Sequence, residues 1–361
     1  MKIINSFLTV NPIVRVLLTS KTKFVSIIII VLVVFININS CNGVTEPEIQ
    51  PGRRDYVWKV DTIKIPFNVL GKLWVNSAND IWAVGSGGGL DQTIWRFDGV
   101  NWKTDGISRP IAPITVFGFS SNDIWFGGSE GNIWRFDGSK FYSSLNFKPT
   151  SNWVYSHFND LFGTSPQNLY AVGGLDSNKV RYGKIFHFNG NNWRLLNISS
   201  KGDDFMQIRK GKNDSNYYLW SWRSDNINSD SVKIYSFDGI KLQEIHRGLM
   251  NNTHGAYIET INGEVYFGID NAVYTYDNGR FIKRFDVNNP NFTQGLNGRN
   301  EKDIFLSMWD GVAHYNGENI EYIFRENKLT LRDIKVFENI VYLLYNDLGK
   351  DFSIIYRGTL K

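Results

Sequence analysis

Cysteine occurs once in this chain and histidine only five times. A single thiol cannot close an internal disulfide, so an exported form of the chain has to be held together by packing. The histidines (His157, His187, His246, His254 and His314) are scattered, and no two have the short spacing of a metal-binding pair. Neither a metal nor a cofactor is expected. A basic surplus is missing as well. The formal charge is +4, from 39 basic and 35 acidic residues, and Lys2, Arg15, Lys21 and Lys23 lie in a leader without a single acid. Beyond that leader the charges balance, which departs from the pattern of nucleic-acid binders. Gly85–Gly89 (GSGGG) lacks the Lys-Ser/Thr of a phosphate loop. Asp225–Asp230 (DNINSD) lacks the spacing and distal glutamate of a calcium loop.

What is present begins with the leader. Its bases are followed by Phe24–Ile36, a run of 13 residues that is apolar but for Ser26. An export signal takes about 7–15 apolar residues behind a basic start, whereas a membrane-spanning helix takes about 20. The run is therefore read as an export signal. Ile38-Asn39-Ser40-Cys41 then resembles the lipobox of bacterial lipoproteins, with an aliphatic residue at −3, a small one at −1, and the cysteine. The resemblance implies cleavage before Cys41 and its lipidation, and so a membrane anchor on the bacterial cell envelope. An ordinary signal peptide with an incidental cysteine, or an uncleaved anchor, is the alternative. Residues 1–40 are assigned to the signal peptide, 41–55 to a polar tether and 56–361 to the folded domain.

Within that domain the hexapeptide IWRFDG occurs twice, as Ile94–Gly99 and Ile133–Gly138. Aligning on it exposes weaker copies. Short aromatic and β-branched runs (IWAVG, IWFGG, LYAVGG, VYFGI) alternate with Asp-Gly or Asn-Gly pairs, which supply the positive φ angles of tight hairpin turns. The glycines Gly99, Gly138, Gly190, Gly239, Gly279, Gly317 and Gly358 recur about every 40 residues, the period of a four-stranded propeller blade. Such a blade cannot bury both its faces alone, so neighbours must stack. The last repeat ends after its third strand, while Tyr56–Ile63 (YVWKVDTI) has no repeat of its own and resembles Val100–Ile107. An all-β, seven-bladed β-propeller is predicted, with residues 56–63 supplying the last blade's fourth strand. Six blades would follow if one repeat were an insertion.

A blade of antiparallel strands a to d sends its a–b and c–d links to one face and its b–c and d–a links to the other. The b–c and d–a links read as the longer and more polar, and variable loops on a rigid face are where binding resides. The candidates there are Arg181, Tyr182, Trp222, Arg223, Trp309 and Asp310, aromatic and polar groups suited to a sugar or an extended peptide. With 54 aromatic residues, most rings must instead fill the seams between blades. His187 and His314 share a column with Arg96, Arg135, Ser236 and Thr275, which marks them as positional. No catalytic set emerges. Of the first-strand segments, only AYIETI contributes an acid, Glu259.

The segments NGEVYFGIDNAVYTYDNGRFIKRF and DGVAHYNGENIEYIF resemble the propeller repeats of bacterial two-component regulators, and SSNDIWFGG with IWRFDG resembles those of exported bacterial lipoproteins. SSNDIW does not match the Asp-box of sialidase propellers. The lipobox, the neutral charge beyond the leader and the long loops on one face point to a membrane-anchored binding or scaffold protein, expected as a monomer, whose ligand is a glycan or a partner protein. The alternative is a carbohydrate-active enzyme, which would require paired acids on the innermost strands of separate blades.

Overall fold

Among the described residues, twenty-eight strands account for the regular structure, and they group into seven sheets of four. The structure is a computed structural model. It describes residues 48–65, 70–148, 153–177, 180–223, 231–249, 255–347 and 349–361, and the side chains of all of these but 153, 154 and 223. The leader, Cys41, His254 and Asp225–Asp230 lie outside the described residues.

Blade 1 holds β2 (Lys72–Ser77), β3 (Asp80–Val84), β4 (Ile94–Phe97) and β5 (Trp102–Lys103). Blade 2 holds β6 (Pro113–Ser120), β7 (Asp123–Gly128), β8 (Asn132–Phe136) and β9 (Phe141–Asn146). Blade 3 is β10 (Trp153–Ser165), β11 (Asn168–Ser177), β12 (Val180–Phe188) and β13 (Trp193–Lys201). Blade 4 is β14 (Asp203–Arg209), β15 (Tyr217–Arg223), β16 (Ser231–Phe237) and β17 (Leu242–Leu249). Blade 5 runs through β18 (Ala256–Ile261), β19 (Glu264–Ile269), β20 (Ala272–Asp277) and β21 (Arg280–Asp286). Blade 6 runs through β22 (Phe292–Asn300), β23 (Asp303–Met308), β24 (Gly311–Tyr315) and β25 (Ile320–Arg325). Blade 7 is composite: β26 (Thr330–Phe337), β27 (Ile340–Asp347) and β28 (Phe352–Leu360) are completed by β1 (Tyr56–Lys64).

The first strand of each blade packs on the first strand of the next, and β26 packs on β2, so the ring is closed. Seven hydrophobic clusters occupy the seven seams. Second strands lie mid-blade with a neighbouring blade on either side. Accordingly β3 and β7 are buried along their whole length, which explains why they read as continuous apolar runs rather than alternating ones. The fold is the seven-bladed propeller that the repeat spacing predicts. β1 pairs antiparallel with β28 from Tyr56↔Leu360 to Lys64↔Phe352, removing the edge an open blade would present.

Three local expectations are revised. Gly358 is no turn residue but sits inside β28, opposite Trp58 and Val341. Where other blades make their c–d turn, blade 7 instead joins the chain ends, with Lys361 N donating to Asp55 O at 3.1 Å. The Asp-Gly turns are also longer than two residues. In Asp98–Asn101 the Asp98 carboxylate caps the backbone N–H groups of Val100 and Asn101 at 3.0 and 2.8 Å, with Gly99 at φ +94°. Only Asn278-Gly279 forms the two-residue c–d turn. Finally, the d–a links are not all long: β13 and β14 are separated by Gly202 alone.

Candidate functional site

Arg181, near the start of β12, lies opposite Asp176 on β11, and their side chains form a two-pronged ion pair of 2.7 and 3.0 Å. Its remaining amino group crosses the seam to blade 4 and donates to Asp204 Oδ2 at 2.9 Å. The bond from Asp176, with Asp204 adding to it, raises the guanidinium above its ordinary value against the cost of burial. Asp204 is buried and accepts from three sides. His157 Nε2 stands 2.9 and 3.1 Å from its two oxygens, and Asn159 Nδ2 donates to it at 2.8 Å. Trp222 is the strand partner of Asp204 on β15, and Tyr155 stacks on His157 with ring centres 5.5 Å apart. Gly174 allows the crowding, since a β-carbon there would lie 2.8 Å from the His157 ring.

Two of the predicted residues, Arg181 and Trp222, are thus gathered over one seam of the b–c/d–a face, whereas Tyr182, next in β12 and paired with Leu175, alternates to the other face of that sheet. Arg223 ends β15 beside them, and its side chain lies outside the described residues. Trp309 and Asp310 are elsewhere, in the b–c turn of blade 6. Trp309 is 61% exposed. Asp310 accepts from the Tyr322 hydroxyl at 2.6 Å and Arg325 at 2.7 Å, and the Arg325 guanidinium lies 3.7 Å over the Tyr322 ring. Burial of the Asp310 carboxyl opposes ionisation, but these hydrogen bonds outweigh it and hold the group below its ordinary value.

The sequence reading missed most of the charge around the axis. Asp160 on β10, Glu259 on β18 and Asp333 on β26 all come from innermost strands. Arg209 on β14 bridges the first two, at 2.5 Å to Asp160 and 2.8 Å to Glu259. Lys335 approaches Asp333 at 3.5 Å and Glu259 at 4.0 Å. Asp160 and Asp333 are turned toward the next blade at β-bulges, where they accept the backbone N–H groups of Ile208 and Leu73 at 3.0 and 2.8 Å. Gln207 does the same for Ile258 at 3.2 Å. Burial would raise the Glu259 carboxyl, but Arg209 and Lys335 overcome it and bring it down to about 2. An acid held so low is ionised at any physiological pH and cannot protonate a leaving group. The axial acids act as inter-blade clips.

The histidine column is positional. Four of its six members face the residue opening their second strand: Arg96 with Asp80 at 2.8 Å, Arg135 with Asp123 at 2.7 Å, His187 with Asn168 at 2.8 Å and His314 with Asp303 at 2.6 Å, while Ser236 accepts from Asn216 at 2.8 Å and Thr275 from Arg284 at 2.9 Å. Among the described residues no group of three or more His, Cys, Asp or Glu side chains is placed to hold a metal ion.

No protein-family model and no curated protein matches the chain. Solved structures do match in shape. A structure titled YCF48 bound to D1 peptide aligns with a TM-score of 0.56 at 13% identity, covering 87% of this chain and 99% of that one. BBS1N in complex with ARL6DN gives 0.54 at 11% identity, with coverages of 86% and 98%. The WD40 β-propeller domain of Doa1 gives 0.53 at 11%, with 83% and 97%. At such identities the likeness establishes the propeller fold alone.

Proposed function

We propose that the protein is a lipid-anchored, non-catalytic propeller of the bacterial cell envelope that binds a partner protein through its b–c/d–a face. The observation that carries this is the spread of exposed or half-buried aromatic and guanidinium groups on that face. Tyr155, Arg181 and Trp222 stand over the seam of blades 3 and 4, whereas Trp309, Tyr322 and Arg325 stand on blade 6. Groups on well-separated blades suit a macromolecule laid across the ring better than a small molecule in one pocket. Two of the similar propellers have titles recording a bound peptide or protein, which agrees with this use of the fold.

The anchor fits the same picture. Gly52 N donates to Lys302 O and Asn316 O at 2.8 and 3.2 Å, and Arg54 donates to the oxygens of His314 and Asn319. The chain therefore enters the propeller at the a–b/c–d face of blade 6. Gly52 is eleven residue steps from Cys41, a reach of at most about 40 Å.

Two measurements test the proposal. Metabolic labelling with a fatty-acid analogue should mark the full chain, and Cys41→Ala should lose both the label and the membrane association. Cross-linking of the full chain in envelope membranes should retain a partner protein, and Trp309→Ala should weaken that retention. Glycan arrays probed in parallel should stay blank. Turnover of a carbohydrate substrate with no retained macromolecule overturns the proposal.

A further inference from the structure

The two copies of IWRFDG are identical in sequence but not in what covers them. In blade 2, strand β8 is paired along its whole length by β9, with Phe136↔Phe141, Arg135↔Tyr142 and Ile133↔Leu145. In blade 1, β4 meets only the two residues of β5, with Phe97↔Trp102 and Arg96↔Lys103. Strand pairing then stops at Lys103: Thr104 donates its hydroxyl to Asp91 O at 2.7 Å, Thr104–Arg109 run along the cavity without pairing as a strand, and among the described residues no strand answers Ser143–Asn146. Every other blade carries a fourth strand of six to nine residues. Among the described residues, Ile94 and Trp95 thus have no strand partner on their outer side.

The missing half-strand leaves a space as well as an edge. In blade 2, Leu145 sits beside Ile133 in the cluster facing blade 3. The equivalent position in blade 1, beside Ile94, opens into a cavity of about 660 Å³ between blades 1 and 2. Its floor is aromatic, from Trp82, Trp134, Phe136 and Phe141. Its rim is cationic, from Arg96, Lys103, Arg109 and Lys140, against one acid, Asp105. Asp105 is held by Arg109. Arg96 uses only Nε on Asp80, so its amino groups face the cavity from above the Trp82 ring. Lys140 is exposed and has no carboxylate within ion-pair distance among the described residues.

We propose that blade 1 is completed by an extended segment of a partner protein, which pairs with the Ile94–Trp95 edge of β4 as the missing half of the fourth strand. The segment places a large apolar side chain where blade 2 has Leu145, and an adjacent carboxylate meets Arg96 and Lys140. Backbone pairing at an unsatisfied edge supplies the register, and the aromatic cavity supplies the specificity. This site deepens the partner-protein reading and lies apart from the Arg181–Asp204 cluster.

The test selects peptides from a displayed library of short random sequences on the full chain in detergent. The selected peptides are then assayed by affinity and by backbone hydrogen exchange. The expected sequences pair an acid with a large apolar residue. They should slow exchange in Thr93–Trp95, and Lys140→Glu should weaken them about three- to tenfold without lowering the unfolding temperature. Selected peptides that protect Asp176–Tyr182 instead, and bind Lys140→Glu normally, overturn this site while leaving the partner-binding reading in place. Failure to select any peptide, with no partner cross-linked in membranes, overturns both. Self-association of the chain that disappears in Lys140→Glu assigns the groove to a second copy and likewise overturns the proposal.

Discussion

Trp58 lies over Gly358, its strand partner, so closely that a β-carbon on the glycine would stand 2.8 Å from the indole ring. The same indole packs on Phe324 of blade 6 with ring centres 4.9 Å apart and on Tyr56 at 5.8 Å. The first and last strands of the propeller are therefore locked by an aromatic ring resting on bare backbone. Gly358→Ala is expected to displace that ring and to cost about 1–3 kcal/mol, the range for overpacking a filled site. Gly71→Ala is the control, because its new methyl would meet nothing nearer than 4.0 Å. Thermal unfolding of both variants decides: equal midpoints would mean that the closure tolerates the extra carbon.

The axial clips predict an acid limb in the stability profile. Glu259 titrates at about 2 in the folded state, against an ordinary value of 4.5. A carboxyl depressed on folding stabilises above its unfolded value, and that contribution is lost as the pH falls from about 4.5 toward 2. The size is about 3 kcal/mol, reduced by whatever the strained neighbours recover. Glu259→Gln should therefore be markedly less stable than the parent at neutral pH, and the gap should narrow through that window. Denaturant titrations at several pH values measure it. A gap independent of pH would show that Glu259 contributes packing rather than charge.

The blade count was legible because every blade must present matching surfaces to its neighbours, which forces repetition of IWRFDG-like strings. The closure was legible for a related reason, since an orphan strand at one end answered a missing one at the other. The axial charges were not. Asp160 and Asp333 stand in β10 and β26 beside bulges, where an extra residue breaks the alternation that would reveal them. The Arg181 cluster was half visible: the guanidinium and Trp222 stood out as polar and aromatic groups near expected links. Its acceptor, Asp204, was hidden in a segment read as loop, because a one-residue connection at Gly202 leaves no turn signature of ordinary length.

Asp204 is the acceptor on which the blade 3–4 seam converges, so its charge should be worth more than that of an ordinary surface acid. Asp204→Asn keeps the shape and removes the charge that Arg181 and His157 face. A loss of about 1–3 kcal/mol is expected, tempered by Asp176, which continues to hold Arg181. A double-mutant cycle with Arg181→Met isolates the pair, and a coupling of at least about 0.5 kcal/mol is expected. Additive losses would instead make the contact incidental.

Two tryptophans separate structure from recognition. Trp125 is fully buried, with its ring 5.0 Å from Phe188, 5.8 Å from Trp193 and beneath the Arg135 guanidinium at 4.7 Å. Trp125→Ala should cost about 3–5 kcal/mol, as emptying a packed seam does. Trp309 projects from the blade 6 turn, and Trp309→Ala should leave stability within about 0.5 kcal/mol. If the b–c/d–a face binds a partner, that second variant should nevertheless lose retention in the cross-linking assay. With 61% of its surface exposed, internal packing accounts for little of that ring's place on the turn. Full retention by Trp309→Ala would move the contact surface away from blade 6 and leave the blade 3–4 seam to account for binding alone.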